Sequence, residues 1–292
     1  MIKRTTGEKI FNVFNYIFLG ALAFVCLYPF LYTVSISFST LAEASKDGLH
    51  LFPVDTTLRS YQMVFADEKV WSAYLVTILR TVTGTVFSLL MTTTFAYALS
   101  RRNMPHRNFW TFVVVFTMLF SGGTIPSFLV IHGLKLTNNF LVYILPTAVG
   151  AYNLIIMKNA FMGIPESLYE SAKIDGANEW TIWTNIYMPL SKATIAVLTL
   201  WISVGHCNAW IDSLLYMDGD NFQVLQMYLR RVVQDNQTEL ILSGMVDADV
   251  TDYNTETVKS ATIVVAMLPI LCVYPFIQKY FVKGIMLGSV KG

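Results

Sequence analysis

Long apolar runs, separated by short polar segments, occupy most of this chain. An α-helix needs about 20 apolar residues to cross the hydrocarbon core of a bilayer. Six runs come close to or exceed that length: roughly Asn12–Phe38, Ala73–Leu99, Phe109–Ile131, Phe140–Phe161, Tyr187–Val204 and Val258–Val282. The pattern predicts an all-α integral membrane protein, a bundle of six transmembrane helices that forms a single domain over residues 1–292.

Basic residues near the ends of the runs predict the orientation, because Lys and Arg collect on the cytoplasmic side. One side carries twelve: Lys3, Arg4, Lys9, Arg101, Arg102, Arg107, Lys158, Lys173, Lys192, Lys279, Lys283 and Lys291. The other carries seven: Lys46, Arg59, Lys69, Lys135, Arg230, Arg231 and Lys259. We therefore expect cytoplasmic N- and C-termini, extracytoplasmic segments 39–72 and 205–257, and a cytoplasmic loop 162–189. The first run is too long for a signal peptide, so we interpret it as an uncleaved anchor.

Composition supports a membrane protein and excludes several functions. Of 292 residues, 54% are hydrophobic and 13% charged, about half the charged share of soluble domains. A net charge of +1 gives no basic field for nucleic acid. The three cysteines and four histidines show no metal-ligand spacing, so we expect no metal or cofactor in this chain. No Gly-Lys pair can form a Walker A loop and no hydrolase motif occurs, so the chain is not expected to be an enzyme.

Polar residues within the runs are candidates for a substrate pathway. Arg80 lies inside the second run, where an arginine costs roughly 2.5–3.5 kcal/mol. The simpler interpretation is that its long side chain snorkels to the outer surface; the other is that it faces the bundle and lines a polar cavity or pairs with a partner subunit. Tyr152, Asn153, Trp201 and His206 combine aromatic faces with amide and imidazole groups, which suits a sugar. The alternative for these residues is an interfacial aromatic belt.

The loop between the fourth and fifth runs predicts a short amphipathic helix over Pro165–Asp175. Proline favours the first helical position, and Gly176 favours a left-handed stop. Leu168, Tyr169 and Ala172 would form one apolar face. Such a helix can lie in a groove of another protein. A helix lying on lipid headgroups would need a Lys/Arg-rich polar face, which is missing here.

This loop resembles the EAA loop of ABC-importer permeases. The matching positions are Glu170, Ser171, Ala172, Asp175, Gly176, Ala177, Trp180, Trp183, Ile186, Pro189 and Leu190. Ser171 departs from the usual alanine but is small enough for the same contact. The ending Gln278–Gly292 is similar to the tail of the carbohydrate, maltose-permease-like branch, in its second permease subunit. The resemblance covers the whole chain.

The resemblance implies a prokaryotic plasma- or inner-membrane subunit with several partners. They are a homologous second permease subunit, a dimeric ATPase that binds ATP and Mg, and an extracytoplasmic sugar-binding protein. Glu170, Ser171, Ala172, Asp175, Gly176 and Ala177 would contact the ATPase. The expected cargo is a sugar, an oligosaccharide in particular. An amino acid, peptide or polyamine is the alternative within transport, and a membrane enzyme or sensor that uses its acidic outer loop is the alternative from another class.

Overall fold

The computed structural model describes residues 6–219, 221–234, 256–269 and 271. These residues are largely helical and contain no strand, only an isolated antiparallel bridge between Ser39 and Thr56. The all-α prediction is therefore confirmed. The tail Gln278–Gly292, the second half of the sixth run and residues 235–255 of the second outer segment lie outside the described residues.

The α-helices follow one another along the chain with these bounds. They are α1 Thr6–Phe38, α2 Leu41–Ala44, α3 Arg59–Ala66, α4 Glu68–Ser100, α5 Arg107–Leu119, α6 Thr124–Gly133, α7 Ala151–Met162, α8 Glu166–Ile174, α9 Glu179–Ile182, α10 Met188–Leu190, α11 Lys192–Asn208, α12 Ile211–Tyr216, α13 Leu225–Gln234 and α14 over residues 256–269. A 3₁₀ turn covers Phe140–Tyr143, and a π-helical turn covers Trp183–Tyr187.

The first two predicted spans are continuous helices. α1 and α4 have 33 residues each, about 50 Å at 1.5 Å per residue, which exceeds the thickness of a hydrocarbon core. The apolar side chains of α1 are mostly exposed, as on a helix that faces lipid.

The third predicted span, Phe109–Ile131, is not one continuous helix but two, α5 and α6. α5 and α6 meet at an angle of 116°. The chain turns at Gly123, whose φ of +86° is open to glycine but strained for other residues. Pro126 follows in the first turn of α6, where its missing N–H costs no helical hydrogen bond.

The fourth and fifth predicted spans are interrupted as well. The 3₁₀ turn Phe140–Tyr143 is followed by non-helical backbone up to α7, which has only 12 residues. The fifth run bends by 83° at Ser191, just after Pro189. Among the described residues, two helices are long and apolar enough to cross a membrane, or up to four if each bent pair is one span. The count of six remains a prediction.

The chain divides into two compact units, Met1–Val70 with Leu229–Leu268 and Trp71–Tyr228 with Pro269–Gly292. In the first unit, the Ser60 hydroxyl donates a 3.0 Å hydrogen bond to Oγ1 of Thr257. The second unit holds both candidate sites. One of its hydrophobic clusters brings the rings of Tyr97, Phe161 and Tyr187 into edge-on contact, with centroids 5.0–6.4 Å apart. This cluster is the platform against which α8 packs.

Candidate functional site

The predicted loop helix is present as α8, and its C-terminus is well defined. The amide of Gly176 donates to the carbonyl of Lys173 at 3.1 Å, and the amide of Ala177 donates to that of Ala172 at 2.9 Å. Gly176 has a φ of +80°. These are the two hydrogen bonds of a Schellman cap, with glycine in the left-handed position. The helix begins at Glu166, one residue later than predicted, and Pro165 precedes it.

The apolar side of α8 packs on its own bundle. Tyr169 and Ala172 are half-buried against the aromatic cluster, together with Ile164 and Ala177 from the flanking turns. Leu168, by contrast, is 41% exposed. Of the three residues predicted to form one apolar face, Tyr169 and Ala172 therefore pack on the bundle, and Leu168 does not.

The opposite side of α8 is accessible. Glu170, Ser171, Asp175 and Gly176 are all exposed, and Ile174 is 86% exposed. Four of the six positions predicted to contact the ATPase thus lie on one exposed surface. Together with Ile174 they form what we call the docking surface (Glu170, Ser171, Ile174, Asp175 and Gly176). The other two, Ala172 and Ala177, lie at its edge and face the bundle.

Arg101 connects α8 to the end of α4. Its guanidinium carbon lies 3.4 Å from the ring centroid of Tyr169, a close cation–π contact. The same guanidinium donates to a carboxylate oxygen of Glu166 at 2.6 Å and to the hydroxyl of Tyr187. One side chain directly after α4 therefore holds the first turn and the middle of α8.

Glu179, at the start of α9, provides a second connection. Its carboxylate accepts hydrogen bonds from Tyr97 in α4, from Tyr169 at 2.9 Å and from Lys173 at 2.8 Å. Burial acts to raise the pKa of this carboxyl, but the hydrogen bonds from Lys173, Tyr97 and Tyr169 outweigh burial and lower the pKa to about 2. Glu179 is thus ionised at neutral pH and fastens α8 to α4 through Tyr97.

Neither of these two connections follows from a local sequence pattern. Arg101 attracted notice only as a basic residue near a span end. Its partner Glu166 is 65 residues away, and Tyr97 is 82 residues from Glu179. A single sequence carries no signal for such pairings.

Two of the predicted substrate-pathway residues form a stacked aromatic pair. The rings of Tyr152 in α7 and Trp201 in α11 lie 5.9 Å apart with planes 22° from parallel. Both remain accessible, at 56% and 42% exposure. Asn153, next to Tyr152, is half-buried. The pair offers flat apolar faces of the kind that pack against the C–H faces of a sugar ring.

Arg80 does not snorkel, so the simpler interpretation of this residue is wrong. Its side chain is buried and forms an ion pair with Asp212, donates to the carbonyl of Ala209 at 3.2 Å and lies over the ring of Tyr143 at 4.5 Å. The guanidinium thereby fastens α4 to the region after α11. His206 is also buried. Neither side chain presents itself to the accessible surface in this conformation, unlike Tyr152 and Trp201.

The protein has long and broken apolar helices, and its loop helix α8 is exposed on one side and attached to the end of α4 on the other. This is the architecture of a transport permease. Over residues 70–287 the sequence matches the family described as "Binding-protein-dependent transport system inner membrane component", and the chain belongs to this family. The family resemblance and the ABC-importer permease fold inferred from the sequence are thereby confirmed.

Among its relatives are two proteins of Bacillus subtilis (strain 168). The polygalacturonan/rhamnogalacturonan transport system permease protein YtcP is 41% identical over 98% of this chain and 99% of its own length. Protein LplC is 41% identical over 99% and 97%.

A solved structure is similar over nearly the whole chain. It belongs to a bacterial ABC transporter involved in the import of the acidic polysaccharide alginate. Its chain superposes with a TM-score of 0.89 at 33% identity, covering 96% of this chain and 100% of that one.

Proposed function

We propose that the chain forms half of the translocation pathway of an ATP-driven oligosaccharide importer and is coupled to its ATPase through α8. The observation that carries the proposal is the two-sided arrangement of α8. One side is a polar docking surface, and the other is held to α4 through Arg101 and Glu179. A partner that moves this helix would therefore move the end of a long transmembrane helix.

The assembly follows from this arrangement. An ATPase dimer, which binds ATP and Mg, receives the docking surface at the cytoplasmic side, where the basic residues predict that both termini lie. A homologous second permease completes the pathway. Because α8 is short, capped and attached at two points, it acts as a lever that switches the bundle between inward- and outward-facing states. A binding protein delivers sugar on the outer side.

An aromatic pair and the cargo of related transporters support an oligosaccharide as cargo. Tyr152 and Trp201 form an accessible aromatic pair in the region where the sequence predicted a sugar pathway. Relatives are named for polygalacturonan/rhamnogalacturonan and for arabinooligosaccharides, and the similar solved transporter imports alginate. Uronate-containing oligosaccharides are therefore the first substrates to test, with neutral oligosaccharides and amino acids as competitors.

Coupling is tested in proteoliposomes that contain the whole importer with its binding protein. Glu170→Ala should abolish most ATP-driven uptake of labelled oligosaccharide, because it removes a charged contact from the docking surface, while assembly of the two permeases stays normal. Asp47→Ala is the matched control, since it also removes an exposed acid but lies in the first outer segment. Equal uptake by Glu170→Ala and the control would refute docking through α8.

The cargo site is tested separately. Trp201→Ala should raise the KM of oligosaccharide uptake about five- to tenfold, from a stacking contribution of about 1–1.4 kcal/mol, while basal ATPase activity is retained. Trp201→Phe, which keeps an aromatic face, should restore most of the affinity. Uptake kinetics unchanged by Trp201→Ala would remove the aromatic pair from the pathway.

A further inference from the structure

A basic cavity lies beside the attachment of α8. It is open on one side, has a volume of about 630 Å³ and is bounded by the connection from α4 to α5, the end of α7 and the start of α8. Arg101, Arg102, His106 and Arg107 line it, with Glu166 as the one lining carboxylate. The coupling mechanism uses Arg101 and Glu166 but assigns no role to the rest of this cavity.

Charge in the cavity is strongly unbalanced. Arg101 is neutralised by Glu166 at 2.6 Å. Arg102 and Arg107 form no ion pair with any residue that the structure describes. Lys158 in α7 lies outside the lining and donates to the hydroxyl of Thr111 in α5 at 3.0 Å. Arg102 is exposed and Arg107 is half-buried, so both guanidinium groups are accessible, and a bound anion would balance their two positive charges.

The exposed side of α5 adjoins this cavity and is apolar and aromatic. Phe109, Trp110, Phe112 and Phe116 are 46–64% exposed, and α5 buries none of its residues in this chain. Trp110 lies one turn from the basic lining, the arrangement found where a helix passes from headgroups into hydrocarbon. Cationic donors for a phosphate thus adjoin a surface for acyl chains.

We propose that this cavity binds the phosphate of an anionic phospholipid from the inner leaflet. Arg102 and Arg107 donate to the phosphoryl oxygens, and the acyl chains lie along the aromatic side of α5. Basic pockets at the cytoplasmic ends of transmembrane helices bind acidic headgroups in this way. A soluble phosphate compound shares the headgroup chemistry, but the aromatic surface favours the lipid.

The cavity shares Arg101 and Glu166 with the coupling attachment, whereas Arg102 and Arg107 line the cavity without contributing to the attachment. Glu166, the first residue of α8, and Ile164, in the turn before it, also line the cavity. A bound phosphate therefore adds negative charge next to the Arg101–Glu166 ion pair and fills the space behind the first turn of α8. Binding itself does not depend on the transport role proposed above, so either proposal can fail alone.

The test uses the assembled importer in nanodiscs that mix phosphatidylglycerol with phosphatidylcholine. Native mass spectrometry counts the lipids retained by the complex as the phosphatidylglycerol fraction is varied. Each surface cation contributes about fivefold to the affinity for acidic lipid, so Arg102→Gln with Arg107→Gln should weaken retention about 30-fold. Arg102→Lys with Arg107→Lys should keep most of it.

The control pair is Arg59→Gln with Lys135→Gln, which removes the same charge from exposed positions elsewhere. Equal retention of both lipids by the unaltered importer, or an equal loss in the control pair, would overturn the proposal. Displacement of phosphatidylglycerol by soluble glycerol phosphate at millimolar concentration would overturn the lipid as occupant. Retention of phosphatidylglycerol that depends on Arg102 and Arg107 and resists that competitor supports the lipid site.

Discussion

Replacing Arg101 by alanine should loosen α8 from the bundle without altering the docking surface. The substitution removes a charged hydrogen bond to Glu166, worth about 1.5–3 kcal/mol, and a cation–π contact with Tyr169, worth about 0.5–2 kcal/mol. Glu166 is 36% exposed, and solvent screening reduces the ion-pair contribution. We therefore expect a loss near the lower end of the sum, about 2–3 kcal/mol, which raises the population of detached α8 about 30- to 150-fold.

Hydrogen–deuterium exchange of the amides in Glu166–Ile174 measures this population. Exchange should accelerate by the same factor, and ATP hydrolysis by the assembled importer should continue while sugar uptake falls, because force no longer reaches α4. Arg101→Lys should be intermediate, since it keeps the charge but loses the planar contact with Tyr169. Lys192→Ala, an exposed cation in α11, is the control. Unchanged protection of α8 in Arg101→Ala would refute the attachment.

Three further expectations follow from the structure. The pKa of Glu179 is lowered to about 2 from an ordinary 4.5, so the stability that its ionised carboxylate gives the folded protein is complete above about pH 4.5 and is lost as the pH falls towards 2. In Glu179→Gln the melting temperature should therefore fall less between these pH values. An equal fall in the variant and the unaltered protein would contradict this expectation. Arg80→Ala should cost about 3–5 kcal/mol of stability by leaving the carboxylate of Asp212 unpaired, with partial recovery when Asp212→Ala is added; a melting temperature equal to that of the unaltered protein would show that the pair contributes nothing. Single cysteines at Asp175 and Asp218 should react with an impermeant maleimide from the cytoplasmic and outer sides respectively, and reaction of both from one side would reverse the proposed orientation.

Local sequence signals predicted local structure well. The stop at Gly176 depends only on neighbouring backbone, and both hydrogen bonds of its cap are present. α1 and α4 were found because uninterrupted apolar sequence has one favourable arrangement in lipid. The bend between α5 and α6 was missed because a hydropathy average takes no account of backbone direction, although Gly123 and Pro126 were visible in the sequence.

Contacts between distant residues were not predictable from one sequence. The sequence places Arg80 inside an apolar run, but whether its guanidinium is paired depends on which acidic residue the tertiary fold brings into contact with it. Asp212 lies 132 positions after Arg80, and no local pattern links the two. The same holds for Arg101, whose role depends on Tyr169 and Glu166 reaching it through the tertiary fold.

The ion pair between Arg80 and Asp212 also sets an order of events during synthesis. The two residues are 132 positions apart. A ribosome that adds about 5–20 residues per second needs about 7–26 s to cover that distance. During this interval α4 enters the bilayer with its guanidinium unneutralised, at a cost of roughly 2.5–3.5 kcal/mol. The membrane insertion of α4 is therefore less stable in nascent chains that end before Asp212 than in chains that extend beyond it. The translocon has to keep Arg80 away from lipid until Asp212 has been synthesised.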